Sequence, residues 1–186
     1  DYLTPIRQYN SIQGLSGSIN NVNVIDDKLY INSDLGLFEG VESKEGLFFN
    51  AHPYFKNPSF NISKFSKNGE NDLIVATKTG LTAIRKNNII PIEEGIEFYT
   101  SLQCAKNPEI LVAAGKNIIT IYKFENKQYN LLTEFEYPSQ FRCIIENEKG
   151  EVFISGNNKA LVKVNPSNGA SSFFELIPLK IPIEIK

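Results

Sequence analysis

The chain has 186 residues, enough for one domain with a substantial core and too few for two ordinary ones. Its 19 Lys and Arg against 21 Asp and Glu give a formal net charge of −2, which leaves no cationic surplus for a nucleic-acid backbone. The apolar runs are strand-sized, as at residues 110–114, and far below the roughly 20 residues that cross a bilayer.

The sequence contains no Met, so an upstream segment, either a signal peptide or a further domain, is expected to have been removed. There is one histidine, His52, and there are two cysteines, Cys104 and Cys143, in no CxxC pair. Neither a zinc site nor any other cofactor site is expected from so few ligands.

Along the chain, residues 1–14 read as the outer strand of a blade whose earlier strands lie upstream. Four short apolar runs then recur, LYIN at Leu29, LIVA at Leu73, ILVA at Ile110 and VFIS at Val152, with a period of about 40 residues. Each run sits in the second strand of a four-strand unit. The first unit, 18–52, offers strands at 21–25, 29–33, 36–41 and 47–50. The second, 60–95, offers 60–65, 73–77, 80–85 and 88–92, separated by turn material at KNGEND, KT and KNN. The third, 98–136, offers 99–105, 110–114, 117–124 and 129–135. The fourth, 140–177, offers 141–146, 152–155, 160–164 and 171–176. Residues 179–186, LKIPIEIK, alternate like the opening strand of a further blade.

Second strands that are apolar on both faces suit sheets packed between other sheets. The expected fold is therefore all-β: propeller blades of four antiparallel strands, about four of them, forming part of a larger propeller. An arc of blades leaves two apolar faces to be covered, by missing blades or by a second copy in a homodimer.

The segment GLSGSINNVNVIDDKLYINSDLGLFEG, residues 14–40, resembles the regulatory propeller repeats of bacterial two-component sensors, with a first GL at Gly14-Leu15 and a second at Gly36-Leu37. DLIVATKTGLTAI, residues 72–84, keeps the later half with Gly80-Leu81, whereas the third and fourth units lose it. The family's second-strand tryptophan is replaced by Tyr30, Ile74, Leu111 and Phe153. The resemblance implies a periplasmic or extracellular sensor domain of a hybrid histidine kinase, responsive to a small molecule such as a carbohydrate or to a protein partner.

Binding residues on such a fold are expected where one unit crosses to the next. The longest crossing, AHPYFKNPS at 51–59, carries His52, Tyr54 and Phe55 between prolines; these rings either grip a ligand or fold back as a plug. The crossings at 92–99 and 136–142 add Tyr99, Tyr137, Gln140 and Arg142. Glu93 and Glu94 are adjacent, so in extended chain they point to opposite sides and do not converge on one bond. The inner-strand polar positions Asn23, Ser63, Gln103 and Arg142 include no carboxylate, which disfavours a calcium-dependent propeller enzyme. No catalytic residue is assigned. The expected role is non-catalytic sensing or protein interaction, with a hydrolase or lyase fragment and a structural scaffold as alternatives. Cys104 and Cys143, taken as matching positions in the first strands of their units, are expected to be reduced and mostly buried.

Overall fold

The computed structural model describes residues 9, 11–157, 161–166 and 174–176. The expectations for 179–186, and for most of 1–14, fall outside the described residues; within the latter, Ser11–Gln13 forms a 3-10 turn. The rest is strand and turn, in two compact units, Asp1–Phe60 and Asn61–Lys186.

The first unit holds one antiparallel sheet in sequential order, β1 (Ile19–Ile25), β2 (Lys28–Ser33), β3 (Gly36–Ser43) and β4 (Gly46–Ala51). Asp26 and Asp27 both adopt positive φ, 49° and 62°, between the paired residues Ile25 and Lys28. That is the two-residue hairpin whose twist matches its strands, and aspartate tolerates the left-handed region better than most residues. One face of this sheet gathers Leu15, Ile31, Phe38 and Phe49 into a small core, with Tyr9 edge-on to Phe49 at 5.5 Å.

The second unit holds, from Asn61 on, a four-stranded sheet of β5 (Ser59–Lys67), β6 (Glu70–Thr77), β7 (Gly80–Arg85) and β8 (Asn88–Glu94). It continues with β9 (Phe98–Gln103), β10 (Ile110–Glu125), β11 (Gln128–Glu146), β12 (Val152–Gly156), β13 (Leu161–Val164) and β14 (Phe174–Leu176) in one six-stranded sheet of sequential order. The same hairpin chemistry recurs at Lys86-Asn87 and Asn126-Lys127, all with positive φ.

The sequence reading separated the third and fourth units, and here the structure differs. The Phe124 amide donates to the Glu109 carbonyl at 2.7 Å. A straight strand of that length would hold them roughly 50 Å apart, so β10 doubles back at residues 115–117; its first part pairs with β9 and its second with β11. In β11 the chain stays in the ladder across 136–142, which the sequence suggested as a connecting loop. Glu136 pairs with Ile118 and Gln140 with Lys116, and the register jump between them takes up Pro138, which has no amide to donate. Two expected units thus share one continuous strand.

Two cores fill the second unit. Phe65, Ile74, Leu81, Phe98, Leu111 and Tyr122 lie in one, between the two sheets; Val112, Ile119, Ile121, Phe141, Ile154 and Val162 lie in the other. Polar pairs line the seam between β5 and β9: Asn61 donates to Thr100 at 2.9 Å, the hydroxyls of Ser63 and Ser101 meet at 2.7 Å, and Gln103 bonds both the amide and the carbonyl of Ser66 at 2.9 Å.

A buried charge cluster pins the two sheets together. Asp72, whose side chain is 0% exposed, accepts from Arg85 Nε at 2.8 Å, from Arg85 Nη2 at 2.7 Å and from the Tyr129 hydroxyl at 2.5 Å. Arg85 also donates to the Lys127 carbonyl and lies over the Phe124 ring at 5.3 Å. The bonds to Asp72 raise the pKa of the Arg85 guanidinium, and burial followed by the bond to Asp72 raises that of the Tyr129 phenol.

The cysteines correct one expectation. Cys104 is buried, but Cys143 is exposed. Cys104 donates to Ile110 at the start of its run, the level at which Glu146 pairs with Val152, so Cys104 corresponds to Glu146 rather than to Cys143. A bulge between Phe141 and Cys143 adds one residue and turns the following side chains to the other face. Phe141 and Ile144 therefore pack inward, and Cys143 does not.

Candidate functional site

At one end of the second unit three chain reversals lie side by side: the turn after Thr77, the connection from β8 to β9, and the fold in β10. Backbone bonds stitch them together, from the Gly95 amide to the Thr79 carbonyl and from the Lys116 amide to the Glu97 carbonyl, both 2.9 Å. The second needs a glycine next door. A Cβ on Gly115 would lie 2.0 Å from the Glu97 carbonyl oxygen. Asn117 takes the left-handed conformation that completes the reversal, φ 63°.

Between this row and the 136–138 stretch of β11 lies an open cleft of about 570 Å³, lined by Ile96, Lys116, Asn117, Ile118, Glu136, Tyr137 and Pro138. A second cavity of about 390 Å³ shares Ile96, Lys116 and Asn117 and adds Lys78, Gly95 and Glu97. Ile96, Ile118 and Pro138 supply apolar surface, and the Tyr137 ring is half-buried, stacked on Phe135 with centroids 6.2 Å apart and planes 6° from parallel. Lys78, Lys116 and Glu136 are exposed at the rim.

The expected binding residues divide between the units. Tyr137 lines the cleft. Arg142 lies over the Tyr99 ring at 4.6 Å and donates to the Gln140 side chain at 3.1 Å, so these three form one chain of contacts. Burial first, and the neighbouring Glu97 carboxylate next, raise the pKa of the Tyr99 phenol. Glu93 accepts from the Tyr122 hydroxyl at 3.3 Å. His52, Tyr54 and Phe55 belong to the first unit. There the Phe55 ring is buried, the His52 ring lies 5.3 Å from it and 5.8 Å from Tyr54, and Tyr54 is 60% exposed. The His52 amide donates to Leu37 and the Leu37 amide to Phe55, which holds the loop on its own sheet. Among the described residues His52 Nδ1 is buried without a hydrogen-bond partner, and desolvation lowers the imidazole pKa.

Lys78, Lys116, Asn117 and Ile96 were not singled out from the sequence. A signal was present: Lys-Thr and Lys-Asn occupy corresponding turns of the second and third units. Among the described residues no group of three His, Cys, Asp or Glu stands together that could hold a metal ion, and no helix is long and apolar enough to cross a membrane.

No protein-family model and no curated protein matches this chain. Solved structures do. The extracellular domain of a protein named as a hybrid two component system from B. thetaiotaomicron superposes with a TM-score of 0.66 at 15% identity, over 87% of this chain and 22% of that one. The Neurospora crassa Pan2 WD40 domain gives a TM-score of 0.57 at 14% identity, over 86% of this chain and 50% of that domain. A protein of unknown function from Bacteroides caccae gives 0.50 at 14% identity, over 87% and 67%. These likenesses show an all-β, propeller-like fold, and the chain spans only part of the length of each of these proteins.

Proposed function

We propose that this chain is part of a β-propeller that senses a ligand or holds a protein partner, in the extracytoplasmic portion of a two-component signalling protein, and that it catalyses no reaction. The observation that carries the reading is the cleft at Tyr137. It stands where successive strand reversals converge, and loops set on a rigid scaffold are the usual seat of recognition. The B. thetaiotaomicron neighbour, the extracellular domain of a protein named as a hybrid two component system, supports the placement. The resemblance of residues 14–40 and 72–84 to sensor propeller repeats points the same way. On this reading β5–β8 form one blade and the six-stranded sheet two blades that share β11.

Amide NMR of the isotopically labelled protein tests the site. The dialysable and the macromolecular fractions of the organism's growth medium are added separately, and one of them should shift the amides of residues 96, 116–118 and 136–137. Tyr137→Ala should abolish the response. A ligand recovered unchanged fits a sensor, and recovery of a converted product refutes the non-catalytic part. Shifts confined to other surfaces, or none with either fraction, refute the site.

A further inference from the structure

The charges around the cleft are not matched to one another. Lys116 supplies an ammonium group and Glu136 a carboxylate to the cleft, and Lys78 supplies a second ammonium group to the adjoining cavity, which also holds Glu97 beside the Tyr99 phenol. Among the described residues the Lys78, Lys116 and Glu136 side chains have no ion-pair or hydrogen-bond partner. The register explains why they do not neutralise each other: Glu136 stands opposite Ile118, whereas Lys116 stands opposite Gln140. Lys116 and Glu136 therefore share the cleft with the apolar lining of Ile96, Ile118 and the Tyr137 ring without forming an ion pair.

Each class of small ligand can be weighed against that arrangement. A simple anion would meet Lys116 but lie beside the Glu136 carboxylate. A simple cation would meet Glu136 but face the Lys116 ammonium group. A neutral apolar molecule would partly desolvate both charges with no partner for either of them, which is unfavourable. A small molecule with both charges and an apolar body satisfies every part at once, because charge-assisted hydrogen bonds are the strong ones at a partly wet site.

We infer that the cleft takes a small zwitterion of the α-amino acid class with an apolar side chain. Its carboxylate lies toward Lys116, its ammonium toward Glu136, and its side chain over Ile96, Ile118 and Tyr137. This rests on the reading of the cleft as a ligand site.

Three probes of one shape separate the possibilities: L-phenylalanine, 3-phenylpropionate, which lacks the ammonium, and 2-phenylethylamine, which lacks the carboxylate. Each is titrated into labelled protein while the amides of residues 96, 116–118 and 136–137 are followed. L-phenylalanine should bind there, and each singly charged analogue should bind about tenfold more weakly, the loss expected for one charged hydrogen bond. Lys116→Glu should weaken L-phenylalanine and 3-phenylpropionate but not 2-phenylethylamine. Glu136→Gln should weaken L-phenylalanine and 2-phenylethylamine but not 3-phenylpropionate. Lys44→Glu, an exposed charge change in the first unit, should alter none of them. Equal binding of L-phenylalanine and either analogue overturns the zwitterion and leaves the cleft standing as a ligand site. Absence of any shift with all three probes also overturns the zwitterion; the growth-medium titration then decides on its own whether the cleft binds anything.

Discussion

Replacing Asp72 by Asn tests whether the buried cluster holds the two sheets of the second unit together. The native carboxylate accepts two bonds from Arg85 and one from Tyr129, and it has no exposure to water. Asn offers one carbonyl oxygen in their place and turns an amide donor toward the Arg85 or Tyr129 donors. Removing one partner of a buried ion pair costs about 3–5 kcal/mol, because the other charge remains behind. Glu70, 3.6 Å from Arg85 Nε, remains as a partial partner and places the expected loss near the lower end, about 3 kcal/mol. At the size of this chain that corresponds to a fall in Tm of roughly 6–12 °C. The sequence has no Trp, so near-ultraviolet circular dichroism of the tyrosines, with urea unfolding in parallel, is the suitable assay. Tyr129→Phe removes one hydrogen bond and leaves both bonds from Arg85, so it should cost only about 1–2 kcal/mol. Breaking the surface pair Lys28–Glu39 by Lys28→Ala should cost under about 1 kcal/mol. If Asp72→Asn proves no more costly than Lys28→Ala, the cluster is not a structural pin and the argument fails.

Three further outcomes follow from features already described. Cys143 is exposed, whereas Cys104 is buried with its thiol pKa pushed up to about 12, so a thiol reagent at mildly alkaline pH should label one cysteine quickly and the second only on unfolding; two fast equivalents, or none, would contradict this. Desolvation lowers the His52 pKa from 6.5, so the folded chain takes up that proton less readily than the unfolded chain. The resulting stability is complete above that value and declines as pH falls below it. His52→Phe should accordingly flatten the dependence of Tm on pH between about 7 and 5, and unchanged slopes would exclude the effect. Gly115→Ala puts a methyl group against the Glu97 carbonyl and should cost about 1–3 kcal/mol while speeding hydrogen exchange at the Lys116 amide; a neutral effect would show that the reversals are not tightly stitched.

The strands were legible because their signals are local. β2, β6, β12 and the first part of β10 are short runs of branched and aliphatic residues, and the pairs Asp26-Asp27, Lys86-Asn87 and Asn126-Lys127 take the positive φ that the β1–β2, β7–β8 and β10–β11 hairpins need. What a local pattern cannot carry is the ladder across 136–142. Pro138 suggests a break, but the register jump opposite Lys116 and Ile118 lets the strand run past it. The exposure of Cys143 was hidden for the same reason, since one inserted residue reverses the face of all that follow. The Asp72–Arg85 pair lies between these cases. The two residues stand at mirrored distances from the Lys78-Thr79 turn, so a hairpin reading places them opposite one another. Only the packing of β11 brings Tyr129 to the same carboxylate. Tyr137 could be named from the sequence because it is aromatic on a crossing, while the lining by Lys78 and Lys116 depends on turns distant in sequence that lie side by side.

The continuity of β11 also bears on how this molecule can be cut and recombined. Repeats joined by loose connections can be lost, gained or exchanged one at a time, since each breakpoint severs few backbone bonds. The connection between β8 and β9 comes nearest to such a place: residues 95–97 lead from one sheet to the next, and a cut there disturbs only the backbone bonds of Gly95 to Thr79 and of Lys116 to Glu97. No equivalent joint exists within Gln128–Glu146, where a single strand is hydrogen-bonded to β10 along one stretch and to β12 along the next. A shuffled chain opened at residues 95–97 would carry the six-stranded sheet β9–β14 away as one inseparable module, whereas one opened at Tyr137 would leave frayed ladders on both sides of the cut.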